Sequence, residues 1–370
     1  MVEEGRWQMK VRRQELAVVA IAGAVLALAG CGGGDGREGG DAGAAAQAAR
    51  LPQLPIDPGS VTVSGISSGG AMAVQFHVAH SSLVRGAGLL AAPPYLCAEG
   101  SVRHALGRCM KDGGAEIPTA QLVERTSQLA RDGAIDAVAG LADDRVWLFR
   151  GAQDPYVGKT VADSLEAYYQ ALVRPERVAR VELPGAGHTF PTADSTASRC
   201  DVTESPFVGN CGLDGAATLL AHLYGDLAPG TAPSADGLVE FDQRPYAEQS
   251  GSAGLGDRGW LFVPRACRAG QAASCSLHVV FHGCQQGASF VGDAFVRRGG
   301  YLEVAEANRM VLLFPQVEKS LQPLNAYGCW DWWGYEGEDY ATRNGRQVRA
   351  VRAMIADLLG EAATTRGPGG

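Results

Sequence analysis

A serine set symmetrically between glycines is the sharpest chemical signal in this sequence. Gly65-Ile66-Ser67-Ser68-Gly69 follows a short apolar run and opens a helical pattern. A G-x-S-x-G in that context puts the central serine on a tight strand-to-helix turn. A side chain two residues away would clash there, and Oγ stands exposed above the sheet. The turn also points the Ser68 N–H and the positive end of the helix at the place where an oxyanion forms during acyl transfer. Ser68 is the rival nucleophile, but the glycines are symmetric about Ser67. A serine hydroxyl is a weak nucleophile at neutral pH, so it needs a base, and the base needs an orienting carboxylate. Asp154 and His188 each come just after an apolar run, at 147–149 and 178–183, in the chain order Ser, Asp, His. The competitors are worse placed. Asp143 and Asp144 precede their run, His77 and His80 fall on the helix after Ser67, and His222 falls on another helix. His104 lies between Cys97 and Cys109, and His278 sits inside an apolar run.

A second oxyanion donor is expected from His282-Gly283-Cys284-Gln285-Gln286, just past the apolar run 277–281. An HG turn there offers the Cys284 N–H, and the same segment can also anchor a disulfide. In α/β-hydrolases this loop ordinarily precedes the nucleophile, whereas here it lies far downstream of Ser67. Circular permutation accounts for this order: the usual first half of the sheet has moved to the end of the chain. The last helix would then pack where it normally leads into the Ser67 strand, which closely spaced termini make tolerable.

The elements that must hold these residues alternate. Apolar strand patterns occupy 61–64, 88–92, 145–149, 178–183, 238–241, 260–263, 277–281 and 310–314. Helical patterns occupy 70–80, 119–131, 161–172, 214–224, 301–308 and 347–359. Apolar strands between helices predict a mostly parallel sheet covered on both faces, an α/β fold of the circularly permuted α/β-hydrolase kind.

The beginning of the chain reads as an address. Lys10, Arg12 and Arg13 precede the apolar run 16–29, and Met9 is an alternative start. The run is shorter than the roughly 20 residues that span a bilayer. It ends Leu28-Ala29-Gly30-Cys31, which resembles a bacterial lipobox with Cys31 as the lipidated residue. We therefore expect a lipoprotein signal at 1–31, a Gly/Ala tether at 32–50, one catalytic domain at 51–360 and a disordered tail at 361–370. A net charge of -8 with no basic run argues against nucleic-acid binding. Of nine cysteines, setting Cys31 aside leaves eight. They fall into sequence neighbours: Cys97 with Cys109, Cys200 with Cys211, Cys267 with Cys275, leaving Cys284 for Cys329. Eight cysteines formally allow about a hundred pairings, but an exported chain makes disulfides the default. Such short bridges add about 2–3 kcal/mol each. No CxxC pair or histidine cluster suggests a metal site, and the expected chemistry needs no cofactor.

Four segments in this order carry a family resemblance: Ser-Gly-Ile-Ser-Ser-Gly-Gly at 64–70, Gly-Ala-Gly-His at 185–188, His-Gly-Cys-Gln-Gln at 282–286 and Tyr-Gly-Cys-Trp-Asp-Trp-Trp at 327–333. Together they resemble the extracellular poly(3-hydroxybutyrate) depolymerases of the circularly permuted, single-domain type, over about residues 58–360. The resemblance implies a triad of Ser67, Asp154 and His188 and an oxyanion hole of the Ser68 and Cys284 amides. It also implies hydrolysis of hydroxyalkanoate esters through an acyl-enzyme, without metal or cofactor. Many members carry a polymer-binding domain after a linker and many are freely secreted. A tethered catalytic domain instead favours oligomers or amorphous chains at the cell surface, and a monomer is expected. Flat aromatic faces suit an apolar polyester, so Tyr327, Trp330 and Trp332 are candidate substrate contacts, with Trp330 foremost. Tryptophan is so often buried that at least two of Trp330, Trp332 and Trp333 are expected in the core. A feruloyl or acetyl-xylan esterase, and an inactive polymer-binding surface lipoprotein, are the alternatives.

Overall fold

The computed structural model describes residues 50–268 and 274–361. The expected signal with Cys31, the tether as far as residue 49 and the tail beyond 361 lie outside the described residues.

The apolar runs form eight strands: β1 (Thr62–Ile66), β2 (Gly86–Leu90), β3 (Arg145–Gly151), β4 (Val178–Leu183), β5 (Leu238–Asp242), β6 (Arg258–Phe262), β7 (Ser276–Phe281) and β8 (Met310–Phe314). They make one sheet in the order β4-β3-β2-β1-β7-β8-β6-β5. β6 alone runs against its neighbours. The strand leading into His282 pairs in parallel with the strand leading into Ser67, Thr62 opposite His278 and Gly65 opposite Phe281. Counted from β5, the His282 strand is the third and the Ser67 strand comes later, the arrangement that a permuted α/β-hydrolase requires.

Helices α1 (Ser68–Ala79), α2 (Thr119–Arg131), α3 (Lys159–Gln170), α4 (Gly215–Tyr224), α5 (Tyr301–Asn308) and α6 (Arg346–Leu359) are the longest. They cover both faces because alternate strand residues point opposite ways. Val63, Leu89, Leu148 and Phe281 join Val74, Leu122, Leu165 and Met354 in one buried cluster. Ile66, Leu90, Phe149 and Val280 join Leu219, Leu223 and Tyr301 in the other. The start and end of the described fold meet: the Leu54 N–H donates to the Leu358 carbonyl at 2.9 Å, and Arg50 pairs with Asp357 at 3.4 Å.

Several boundaries differ from the sequence reading by one or two residues, and two of them lie next to the serine. The second strand is Gly86–Leu90, not 88–92, because the Leu90 carbonyl takes the Ser67 N–H and Ala91 turns away at φ 46°. α1 starts at Ser68 and not Gly70, since the Ala71 N–H already reaches the Ser67 carbonyl. Several elements have no counterpart in the periodicity. A three-stranded sheet of Phe190–Thr192, Val208–Asn210 and Ser198–Arg199 follows His188, and a hairpin is formed by Ser320–Leu321 and Leu324–Asn325. Helix Arg244–Ser250 packs on α6. Disulfides join Cys97–Cys109, Cys200–Cys211, Cys267–Cys275 and Cys284–Cys329, with Cα–Cα distances of 5.9, 4.7, 6.0 and 4.3 Å. Bridges of this number are a feature of chains that fold in an oxidising compartment.

Candidate active site

Ser67 caps α1 at φ 58° and ψ -124°, a conformation that costs a non-glycine residue roughly 1–3 kcal/mol. The turn survives because glycines stand two residues to either side. A Cβ on Gly65 would lie 2.2 Å from the Gly69 carbonyl oxygen, and one on Gly69 would lie 2.3 Å from the carbonyl oxygens of Phe281 and His282. The Ser67 Oγ has no hydrogen bond among the described residues, while its N–H is held by Leu90.

Asp154 and His188 stand beyond the carboxyl ends of β3 and β4, on the edge of the sheet that also carries Ser67. The Asp154 side chain is fully buried, and its Oδ1 accepts the N–H groups of Tyr156 at 2.8 Å and Val157 at 2.9 Å. Its Oδ2 faces His188 Nδ1 at 2.7 Å. A carboxylate can only accept, so Nδ1 carries the proton and Nε2 keeps a lone pair, the tautomer a general base needs. The His188 backbone is pinned by its N–H to Thr203 Oγ1 at 2.8 Å. The two loops pack so closely that a Cβ on Gly151 would lie 2.4 Å from the carbonyl oxygens of Ala186 and Gly187.

The HG loop lies against the serine turn: a Cβ on Gly283 would be 3.4 Å from Ser67 Cβ. The Cys284 N–H has no acceptor among the described residues, and Ser68 N is the first amide of α1, where no carbonyl of the helix can reach it. Its neighbours are held firmly. Gly283 N–H donates to Gln286 Oε1 at 2.8 Å, and Gln285 N–H to the Tyr327 carbonyl at 2.7 Å. The Cys284–Cys329 bridge ties this loop to the tryptophan segment, whose Trp330 N–H donates to Ser68 Oγ at 3.3 Å.

The aromatic expectations need correction. The Trp330 ring is fully buried, packed on Phe281 and His282, and has no surface to offer a substrate. Trp332 is only 8% exposed and meets Trp333 edge-on at 5.7 Å. Buried Asp331 explains why: its carboxylate takes the N–H groups of Gly334, Tyr335 and Glu336 and folds the segment inward. Tyr327 is 58% exposed. The ring at the catalytic edge is instead Tyr156, 44% exposed and edge-on to His188 at 5.2 Å. Only its place two residues after Asp154 could have drawn attention to it.

The competing histidines are packed in the fold or lie at its surface. His77 sits between Asp144 (2.9 Å) and the Tyr169 hydroxyl (3.1 Å). His278 is held by Thr62 and Ser64, and burial lowers its pKa to about 3. His222 donates to the Arg177 carbonyl at 3.0 Å, and His104 lies 3.6 Å from Glu99 at the surface.

A permuted, mostly parallel sheet carrying a serine on a strained turn, its Oγ without a hydrogen bond among the described residues, and a carboxylate-held imidazole on the same edge has the architecture of the α/β-type serine hydrolases. No protein-family model matches the chain. It is 40% identical over 340 residues to the poly(3-hydroxybutyrate) depolymerase of Delftia acidovorans, covering 91% of this chain but 65% of that protein. It is 34% identical over 319 residues to the polyhydroxybutyrate depolymerase of Talaromyces funiculosus, covering 82% of this chain and 91% of the relative. The crystal structure of the PHB depolymerase from Penicillium funiculosum superimposes with a TM-score of 0.78 at 31% identity, over 85% of this chain and 99% of that one. A PHB depolymerase variant complexed with an R3HB trimer gives the same TM-score at 30% identity over the same shares. The chain belongs to the polyhydroxybutyrate depolymerase family.

Proposed function

We propose that this chain hydrolyses the ester bonds of poly(3-hydroxybutyrate) or its oligomers through an acyl-enzyme on Ser67. His188 Nε2 takes the Ser67 proton as Oγ adds to the ester carbonyl, and Asp154 holds the imidazolium that results. The Ser68 and Cys284 N–H groups carry the charge on the tetrahedral oxygen. Collapse expels the alcohol, which receives the proton from His188. Water then adds under the same base and releases the hydroxy acid. The observation that carries this reading is the 2.7 Å contact of His188 Nδ1 with the fully buried Asp154 carboxylate, with Nε2 free of any partner among the described residues on the edge that carries Ser67. Family membership and the trimer-bound relative support the substrate class. The anchor is part of the same reading: a monomer exported and held by a lipid on Cys31, which mass spectrometry of that cysteine tests.

The decisive experiment is clearing of emulsified poly(3-hydroxybutyrate), with hydroxybutyrate oligomers and aryl esters alongside. Ser67→Ala should leave no activity on any of them. A Ser67→Ala chain as fast as the parent sinks the reading, and turnover of feruloyl esters alone moves it to the plant-cell-wall esterases.

A further inference from the structure

Helix α3 begins without a cap of its own. Its N-cap is Gly158, which has no side chain to meet the first free N–H groups of the helix. The cap comes instead from Asp112, on a loop far earlier in the chain. Asp112 Oδ2 accepts the Lys159 N–H at 2.9 Å, and Oδ1 accepts the Thr160 N–H at 2.8 Å and the Thr160 hydroxyl at 2.6 Å. A Cβ on Gly158 would lie 2.3 Å from Asp112 Oδ1, so this approach needs glycine there. The bond from the Thr160 hydroxyl, joined by those from the two amides, holds the Asp112 carboxyl below the usual carboxylate range, so it is an anion at neutral pH.

The capped turn is the far end of the segment that starts with the catalytic acid. The N–H groups of Tyr156 and Val157 go to Asp154 Oδ1, and that of Gly158 goes to the Met110 carbonyl at 2.8 Å. Those of Lys159 and Thr160 go to Asp112. Consecutive amides are therefore all held, and from Gly158 onward they are held from outside the segment. The loop that holds them is itself fixed. Cys109, next to Met110, is bridged to Cys97, and Arg108 donates to the Cys97 carbonyl at 3.0 Å. At its other end the loop leaves β2, whose Leu90 carbonyl takes the Ser67 N–H, and the Ala91 N–H reaches the Phe149 carbonyl at 2.9 Å. One stapled loop runs from the serine turn to the acid segment.

We infer that Asp112 is a positioning residue for the catalytic acid: by capping α3 from the stapled loop, it fixes the segment 154–160 and with it the Asp154 carboxylate on His188 Nδ1. This rests on the function proposed above. Without the cap the first turn of α3 frays. That slack passes along a few residues to a carboxylate whose remaining oxygen must meet the imidazole at 2.7 Å.

The test compares the parent chain, Asp112→Ala and Asp112→Asn on a soluble aryl butyrate, and repeats Asp112→Ala in an Asp154→Ala background. Alanine removes both acceptors, whereas asparagine keeps an oxygen for Thr160 and is itself a good cap. The expected result is a kcat about tenfold lower for Asp112→Ala with KM within about twofold, and a kcat for Asp112→Asn within about threefold of the parent. In the Asp154→Ala background the change at Asp112 should alter the residual kcat less than about twofold, because a residue that acts through Asp154 then has nothing to position. An unchanged kcat in Asp112→Ala, or equal losses in Asp112→Ala and Asp112→Asn, overturns the inference. So does the same fractional loss with and without the Asp154 carboxylate, the sign of a general loosening of the fold. Should Asp112→Ala prove too unstable to assay, Thr160→Val removes one donor to the same carboxylate, with kcat about threefold lower expected and an unchanged kcat overturning. Fluorophosphonate labelling separates this from the underlying reading. No label on Ser67 of the parent removes both, while full labelling with no difference in kcat removes the positioning role alone.

Discussion

In the proposed mechanism Asp154 acts through one atom. Its Oδ2 faces His188, while Oδ1 is already spent on two backbone N–H groups. Asp154→Asn would keep the fold of the loop but let an amide N–H face Nδ1, and the imidazole would then hold its proton on the wrong nitrogen. We expect kcat on a soluble ester to fall about 10⁴-fold, with KM little changed. Tyr156 should behave in the opposite way. Its half-exposed ring borders His188 and bonds nothing through its hydroxyl among the described residues, so Tyr156→Ala should raise KM for hydroxybutyrate oligomers severalfold and spare kcat. Steady-state kinetics on trimer and longer oligomers would check both. A kcat loss without a KM change in Tyr156→Ala would mean that the ring supports the base and not the substrate.

At the scale of elements, the meeting of β1, α1 and β7 leaves no room at one glycine and some at another. Gly69→Ala would force a methyl against two carbonyl oxygens of the neighbouring strand, and should cost at least about 3 kcal/mol in urea unfolding and abolish the serine turn. Gly283→Ala meets its nearest atoms at 3.3 and 3.4 Å and should cost under about 1 kcal/mol. These junctions were legible in the sequence because close packing leaves glycines at fixed offsets, and the strands were legible because parallel strands buried on both faces are runs of apolar residues. What lay between them was not. The short sheet after His188, the inward fold of the tryptophan segment around Asp331 and the Asp112 cap of α3 are built from side chains bonding to backbone, which leaves no periodic trace. The Trp330 expectation failed for that reason: aromatic composition predicts apolar contact, but Asp331 decides on which side of the loop it is made.

For the whole molecule, three buried histidines set the acid limit. Burial lowers His80 and His282 to about 4 and His278 to about 3. The fold holds their neutral forms, so this stability is complete above about 6.5, drains away as pH falls from there toward the folded values, and is gone below them. The unfolding free energy should drop by at least about 2 kcal/mol between pH 7 and pH 4.5, and His278→Gln should flatten that slope even while lowering the whole curve. A chain in which residue 50 is joined to residue 361 by a short linker and opened near Gly230 should keep its fold and its kcat within about threefold, because the joined ends already share hydrogen bonds. Circular dichroism and ester kinetics on that chain would decide. The same meeting of ends has a further consequence. Ile56 pairs with Cys275, just ahead of β7, while His282 and Ser67 lie past the far tips of β7 and β1. The described chain therefore enters the body of the sheet at the end opposite the edge that carries Ser67 and His188, and the first described residues leave that edge unobstructed.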